Sequence, residues 1–245
     1  MTPSVDDRLA ARERPDGSPV MHQSWGDLLF MHWRVPAELL RKHIPARLEV
    51  DTYEGRAFVG VTPFTLWDVR PVFTPPVPFL SEFHEINVRT YVHLDGVPGV
   101  WFFSLDANST AAVVGARTLF RLPYFSARIE RERAGETTRY HSTRDDSAGR
   151  EAEFEATWTT GADQPAAEPG TLDFFLVERY CLYTADEEKL YRVRIHHRPW
   201  PLREVRLGPH RSGMVEAAGL GRPEGEPLTH HGGPVDVEVW PLEET

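Results

Sequence analysis

Three residues at alternate positions carry the chemistry that this sequence offers most directly. Glu85, Asn87 and Arg89 lie two residues apart, so on a β-strand their side chains share one face. The residues between them, Ile86 and Val88, are apolar and fall on the opposite face. A carboxylate near a guanidinium can hold a small polar organic molecule and exchange a proton with it. The stretch therefore predicts either a solvated strand face or the wall of a polar cavity.

The strand that carries Glu85 is predicted to turn back on itself as a hairpin. Asp95-Gly96 is typical of a type I′ turn, in which both central residues need a positive φ. The return strand spans Val100 to Ala107, and simple alternation predicts that Ser104 and Asp106 share the face of Glu85.

Whether this polar face meets solvent or a cavity is left open by the alternation alone. Solvent is the default for one face of an antiparallel sheet. The aromatic opposite face and the apolar or proline-rich flanking segments favour a cavity. If Glu85 and Arg89 point inward they must be paired, because leaving one buried charge alone costs about 3 to 5 kcal/mol.

The histidines do not predict a metal site. His196-His197 and His230-His231 are adjacent pairs, and on a strand each pair directs one imidazole inward. A zinc site needs several converging ligands and often shows a spacing such as HExxH, which this sequence lacks. We therefore predict no metal, and we keep His197 as a candidate cavity residue.

Other catalytic signatures are also missing from the sequence. It has no GxSxG motif and no glycine-rich phosphate loop that opens a helix, so no nucleotide cofactor is predicted. The single cysteine, Cys181, lies in an apolar run that is typical of a buried, inert thiol. Lys42 and Lys189 are the only lysines among 27 cationic residues, which limits imine chemistry because arginine cannot form a Schiff base.

Composition narrows the class of partner and the compartment. A formal net charge of −10 disfavours a general surface for nucleic acid or for anionic membranes. The sequence has neither an apolar run near the roughly 18 residues that would span a membrane nor an apolar signal region at its start. These features predict a cytoplasmic protein whose partner is a small molecule.

The elements that must position the polar face are short and mostly strands. Residues 1–20 are polar and without periodicity, which predicts a flexible tail, and residues 21–245 predict a single domain. The pattern contains about ten to twelve strands and two or three short helices, one of them from about Thr110 to Phe120. Repeated hairpins, and the need to protect sheet edges, favour a mainly β fold closed into an antiparallel barrel.

Eight segments carry a resemblance to a known family, from about Ser24 to Leu242. They read WGDLLFMHWRVPAELLRKHIPARLEVD, GRAFVGVTPF, FHEINVRTYV, GVWFFSLDA, RLPYFSA, ERYCLY, HHRPWPL and VDVEVWPL. Together they resemble an uncharacterised bacterial family often called YqjF-like, which is itself similar to acetoacetate decarboxylase.

The resemblance implies a closed antiparallel β barrel or cone, with an internal site and a tendency to form homo-oligomers. The decarboxylases form a Schiff base on a lysine, but the matching segment here is Leu122-Pro123-Tyr124-Phe125, which has none. Imine decarboxylation is therefore not expected. The pocket glutamate of that family matches Glu85. Its pocket arginine falls near Gly26, which leaves Arg34 or Arg89 as the candidate replacement.

Three functions stay open at this point. In an enzyme, Glu85 is the general acid or base, Arg89 orients a carboxylate, and Tyr124 donates a phenol hydrogen bond. In a non-catalytic binding protein the same groups only hold the ligand. In a structural protein the cavity is filled by side chains. The further candidate ligand contacts are Asn87, Arg34, Ser104, Asp106 and His197.

Overall fold

The fold is built mainly from strands. The computed structural model describes residues 2–75, 82–186 and 189–245. Its strands are β1 Met21–Gly26, β2 Leu28–Val35, β3 Glu49–Val50, β4 Ala57–Pro71, β5 Phe83–Leu94, β6 Val97–Ala107, β7 Tyr124–Ala134, β8 Thr137–Arg144, β9 Glu153–Asp163, β10 Cys181–Ala185, β11 Leu190–His196, β12 Leu202–Ser212, β13 Leu228–Gly232, β14 Val235–Val239 and β15 Glu243–Glu244. Its helices are α1 Val5–Arg12, α2 Ala37–Arg41, α3 Thr110–Phe120, α4 Leu172–Val177 and α5 Met214–Ala217. None of these helices has the length and apolar character needed to cross a bilayer.

The strands form one sheet that closes on itself twice. The small ring runs through β1, β14, β11, β10, β6, β5 and back to β1 through β4. The large ring shares β4, β5 and β6 with it and continues through β7, β8, β9, β12, β13 and β2. Closure of the small ring is uneven, since β10 with β6 and β11 with β14 pair at only two positions each. The predicted mainly β class is confirmed, although β6 pairs in parallel with both β7 and β10.

The parallel pairing of β6 and β7 explains the position of α3. Two parallel neighbours cannot be joined by a tight turn, so the chain must cross from one end of β6 to the start of β7. Helix α3 is that crossover, and the helix predicted over these residues is confirmed. It starts where the Ser109 hydroxyl accepts a hydrogen bond from the Ala112 amide, and it ends at Arg121, whose φ is 54°.

Strand β5 is the middle strand of the wall that the two rings share, between β4 and β6. Ile86 and Val88 belong to the apolar core of the large ring. Glu85, Asn87 and Arg89, on the opposite face, point into the small ring. The interior of the large ring is packed with side chains that include Leu29, Met31, Trp33, Val61, Phe154 and Trp158.

Ser104 and Asp106 lie on the other side of the sheet from Glu85, so the prediction that they share its face is wrong. The hairpin register is regular from the turn as far as the pair of Arg89 with Phe102. The next residue of β5, Val88, pairs with Ser104 and not with Phe103. The skipped residue, Phe103, is a β-bulge, and one inserted residue moves every later side chain to the opposite face.

Asp106 is therefore part of a buried ion pair in the large ring. Its two carboxylate oxygens each accept a hydrogen bond of 2.7 Å from Arg144, through Nε and Nη2. Both side chains are almost fully buried. Removal of Arg144 would leave the buried Asp106 carboxylate unpaired, so we interpret this pair as structural.

The first twenty residues differ from the predicted flexible tail. Helix α1 forms there, and its first turn is closed by a capping box between Ser4 and Asp7. Arg8, on this helix, is buried and pairs with Asp51, which lies 43 residues further along the chain. A polar segment gives no periodic signal for such a contact, because the partner that stabilises the helix is distant in sequence.

Replacing Arg144 by methionine should lower the free energy of unfolding by about 3 to 5 kcal/mol, because Asp106 is then left buried and unpaired. The matched control is Arg211→Met, which breaks a surface pair with Glu153 and should cost less than about 1 kcal/mol. Urea denaturation of the three proteins measures both values. Equal losses in the two variants would contradict the buried pair.

Candidate functional site

The small ring encloses a cavity of about 290 Å³. All seven strands of the ring contribute lining side chains, and most of these are aliphatic or aromatic. A cavity of this size and character suits a small organic molecule with an apolar part. Within the part of the chain that the structure describes, its polar lining consists of Gln23, Thr62, Glu85, Asn87, Arg89, Tyr124, Arg179 and His197.

Helix α3 covers one end of the cavity with small side chains. Ala112, Gly115, Ala116 and Leu119 follow the i, i+3, i+4, i+7 pattern of one helical face and line the space. A Cβ atom placed on Gly115 would meet nothing within 4 Å. The helix face therefore leaves room that a larger side chain could fill.

Glu85 is the buried acid of the site, with 2% of its surface exposed. Its Oε2 accepts a hydrogen bond of 2.5 Å from the Tyr124 hydroxyl, and its Oε1 accepts a longer one of 3.4 Å from Asn87. Burial raises the pKa of Glu85 to about 7, while these two hydrogen bonds act in the opposite direction. Near neutral pH the carboxyl group can thus both donate and accept a proton.

Tyr124 reaches Glu85 because of the crossover. It is the first residue of β7, four residues after the end of α3, and pairs in parallel with Leu105 of β6. Burial, and then the neighbouring carboxyl group, hold the pKa of the Tyr124 phenol well above its usual value. The phenol therefore stays protonated and acts as a donor. A second phenol, that of Tyr140, donates to the Glu85 carbonyl at 2.9 Å and fixes the strand from the large ring.

Arg89 brings a cation into the same cavity. Its Nη2 donates to the Thr62 hydroxyl at 2.9 Å, and its Cζ lies 5.1 Å from the centre of the Phe30 ring. Its Nε has no hydrogen-bond partner among the described residues. Burial lowers the pKa of Arg89, but a guanidinium remains charged at any pH at which the protein folds.

Arg179 is a second cavity cation, which sequence reasoning did not single out. It follows α4 and stacks on the rings of Phe175 and Tyr91, with its Cζ 4.3 and 4.6 Å from their centres. Burial lowers the pKa of Arg179 to about 10, so it stays charged at neutral pH. No strand periodicity marks this residue. The one available signal is the charged pair Glu178-Arg179 inside an otherwise apolar and aromatic run from Phe174 to Tyr183.

His197 lies in the cavity wall, as the sequence suggested. Its Nδ1 donates to the Arg198 carbonyl oxygen at 2.7 Å, and its ring packs against Tyr180 and Trp200. Burial lowers the pKa of His197 to about 4, so the imidazole is neutral at pH 7. This arrangement makes it a packed wall residue with a fixed tautomer.

Arg34 is exposed and does not reach the cavity, which corrects its prediction as a ligand contact. It lies on the side of β2 that carries Phe30, which does line the cavity. Four residues along a strand span about 13 Å. Arg34 is not among the residues that line the cavity, and it lies near the end of β2, two residues before Pro36.

The remaining reactive groups lie outside the cavity or are inert within it. No lysine lines it among residues 2–75, 82–186 and 189–245, and Lys189 pairs with Glu244 at 2.8 Å on the surface. Cys181 lines the wall, but burial raises the pKa of its thiol to about 12. Within the same described ranges, no three histidine, cysteine or acidic side chains are grouped closely enough to hold a metal ion.

A comparison of this sequence with protein families matches residues 22–236 to DUF2071, described as an uncharacterized conserved protein. The chain belongs to the DUF2071 family. Its similarity to the uncharacterized protein YqjF of Bacillus subtilis is 42% identity over 228 residues, which cover 93% of each chain. The predicted YqjF-like relationship is confirmed.

Solved structures relate this DUF2071 protein to the acetoacetate decarboxylase fold. The enduracididine biosynthesis enzyme MppR, complexed with pyruvate, superposes with a TM-score of 0.63 at 14% identity, over 93% of this chain and 91% of that one. Acetoacetate decarboxylase from Legionella pneumophila superposes with a TM-score of 0.61 at 11% identity, over 100% and 96%. The superpositions show that the chains share a fold, and at identities this low they show the fold alone. The predicted acetoacetate decarboxylase-like class is confirmed.

The raised pKa of Glu85 predicts a specific pH dependence of stability. The folded protein keeps the Glu85 proton up to pH 7, whereas the unfolded chain releases it near pH 4.5. Between these values only the unfolded chain gains from losing the proton, so the free energy of unfolding falls as the pH rises. At about 1.4 kcal/mol per pKa unit, wild type should lose about 3 kcal/mol relative to Glu85→Gln.

Urea denaturation of wild type and Glu85→Gln at pH 4.5, 6 and 8 measures this difference. Tyr124→Phe should move the loss to higher pH, because it removes a hydrogen bond that stabilises the carboxylate. Glu155→Gln, at an exposed position of β9, is the control and should follow wild type. A constant difference between wild type and Glu85→Gln would show that the Glu85 pKa is normal.

Proposed function

We propose that this protein binds a small carboxylated organic molecule in the small-ring cavity and transfers a proton to or from it. The observation that carries the proposal is the buried Glu85, with a pKa of about 7, in a cavity that also holds two guanidinium groups. Glu85 is the general acid or base, and Tyr124 supplies a hydrogen bond to the reacting oxygen or to Glu85 itself.

The guanidinium groups support an anionic ligand. The Nε atoms of Arg89 and Arg179 are buried without a hydrogen-bond partner among the described residues. Unsatisfied buried donors are costly, and a ligand carboxylate would satisfy them with charge-assisted hydrogen bonds. The pyruvate complex of MppR, on the same fold, supports a ligand of this chemistry.

The reaction class follows from the groups at hand. A carboxylate of pKa near 7 can remove a proton from the carbon next to a carbonyl, and a phenol donor can stabilise the oxyanion that forms. Enolisation, dehydration, cyclisation and hydrolysis are all compatible with such a pair. We propose non-covalent acid or base catalysis because Tyr124 stands at the position that the family resemblance gives to a lysine.

The alternative is a non-catalytic binding protein. The predominantly apolar lining and the covering helix α3 favour tight enclosure of a ligand, which serves binding without turnover. In that case the carboxyl group of Glu85 only completes the polar wall. A cytoplasmic location and a homo-oligomeric state stay predictions from the sequence.

Ligand binding is tested by melting curves with 2-oxo acids, 3-oxo acids, hydroxy acids and aromatic carboxylates, each paired with its amide. A carboxylate at 100 times its dissociation constant should raise the stability by about 2.7 kcal/mol. Arg89→Gln should weaken a carboxylate by roughly 10- to 100-fold and leave its amide unchanged. Arg139→Gln, an exposed arginine of β8, is the charge-matched control.

Gly115→Leu provides a steric test of the same site, because its side chain enters the cavity from α3 without removing a polar group. It should reduce binding of all ligands alike. A carboxylate that binds this variant and Arg89→Gln as tightly as wild type does not occupy the cavity.

Turnover separates the enzyme from the binding protein. Exchange of the proton next to the carbonyl with deuterium, followed by NMR on any ligand that binds, should be catalysed by wild type. In Glu85→Gln the exchange rate should fall at least about 100-fold while ligand affinity changes less than about threefold. Equal exchange rates in the two proteins would remove Glu85 from the mechanism, and no exchange in wild type would favour the binding protein.

A further inference from the structure

The N-terminal helix places a buried arginine, Arg8, beside Asp51 and Phe175, which lie next to the cavity residue Arg179. Arg8, on α1, has only 9% of its side chain exposed, although the flanking helical residues face outward. Its Nη1 and Nη2 donate to the two carboxylate oxygens of Asp51 at 2.7 and 2.8 Å. Asp51 is fully buried, so this pair is desolvated.

Arg179 also lies within ion-pair distance of the Asp51 carboxylate, but it makes no hydrogen bond to it. Its Nη2 lies 3.2 Å from Asp51 Oδ2, an ion pair without hydrogen-bond geometry. Arg8 already occupies both oxygens in the planar, two-pronged arrangement that a guanidinium prefers. Consequently the Nε and Nη2 atoms of Arg179 have no hydrogen-bond partner among the described residues.

Phe175 holds the two guanidinium groups in place. The Cζ atoms of Arg8 and Arg179 lie 5.0 and 4.3 Å from the centre of its ring. Asp51 neutralises one of these two charges, which leaves one net positive charge beside the cavity that Arg179 lines. Arg89 adds a further positive charge to the same space.

We propose that Arg8 is a positioning residue for ligand binding. By holding Asp51 in a two-pronged pair, it keeps Arg179 from becoming the two-pronged partner of that carboxylate and leaves the N–H groups of Arg179 available to a ligand carboxylate. The inference rests on the proposed carboxylate binding, and it assigns to α1 a part in a site that α1 does not line.

Loss of Arg8 has a defined consequence. Asp51 then needs a new partner, and Arg179, already 3.2 Å away, rotates to bind both oxygens. The cavity loses donors for a carboxylate but keeps its shape and its apolar wall. Affinity for carboxylates should fall about tenfold, and affinity for the corresponding uncharged amides should not change.

The experiment compares Arg8→Met with Arg14→Met. Arg14 lies on the same N-terminal segment and makes a two-pronged pair with Glu238, at 2.7 and 3.0 Å, that is more exposed than the Arg8 pair. Arg8→Met should weaken carboxylates and spare amides, and Arg14→Met should bind both as wild type does. Arg8→Lys keeps the positive charge but cannot form the planar two-pronged pair, and it serves as a second variant if Arg8→Met does not fold. Its affinity for carboxylates should lie between those of wild type and Arg8→Met.

A ligand-free measurement keeps this test separate from the proposed function. The Nε–H signal of Arg179, assigned by its loss in Arg179→Lys, should shift in the ¹⁵N NMR spectrum of Arg8→Met and stay in place in Arg14→Met. A shift without any carboxylate binding in wild type would support the positioning role and overturn the proposed ligand class. An unshifted signal, or a carboxylate affinity equal to that of wild type, would overturn the role of Arg8.

Discussion

Strand β5 is the element on which the rest of the structure depends, because it is a wall of two rings at once. It is hydrogen-bonded on both edges along most of its length, to β4 and to β6. One face packs against the filled interior of the large ring and the other bears Glu85, Asn87 and Arg89. A displacement of this strand would open both rings, so the polar face is held by the packing of the apolar one. Such support from rigid elements is what a group with a shifted pKa requires.

Positive charge exceeds negative charge in the cavity of the small ring. Arg89 and Arg179 enter the cavity, whereas the nearest acids are either shared, as Asp51 is, or half protonated near pH 7, as Glu85 is. Aromatic rings offset part of the desolvation of the cations, with Phe30 beneath Arg89 and two rings beneath Arg179. This excess of positive charge is the basis of the proposed anionic ligand, although the chain as a whole carries −10.

Alternation along β5 was sufficient to predict which of its residues share a face, because period-two patterning is a local property of the chain. The same logic failed on β6, where the bulge at Phe103 reversed the faces and sent Asp106 to the other ring. A bulge depends on the pairing of two strands and leaves no clear mark on either sequence. Arg179 and Arg8 were missed for a related reason, since each is placed by contacts with residues that are distant in the sequence. The β-rich class was predictable because it rests on many local turns and strands together.

The reactive groups of the cavity and the side chains that limit its volume lie on different elements, because the crossover helix α3 provides only the latter. The acidic group and its phenol partner come from β5 and β7, whereas the helix contributes only bulk, through the face that carries residues 112, 115, 116 and 119. Changes of side-chain volume on that face alter the space in the cavity and leave the hydrogen bond between Glu85 and Tyr124 in place. Relatives with the same strands can therefore differ in the volume and shape of this cavity, and the four helical positions are where such differences can accumulate without disturbing the sheet.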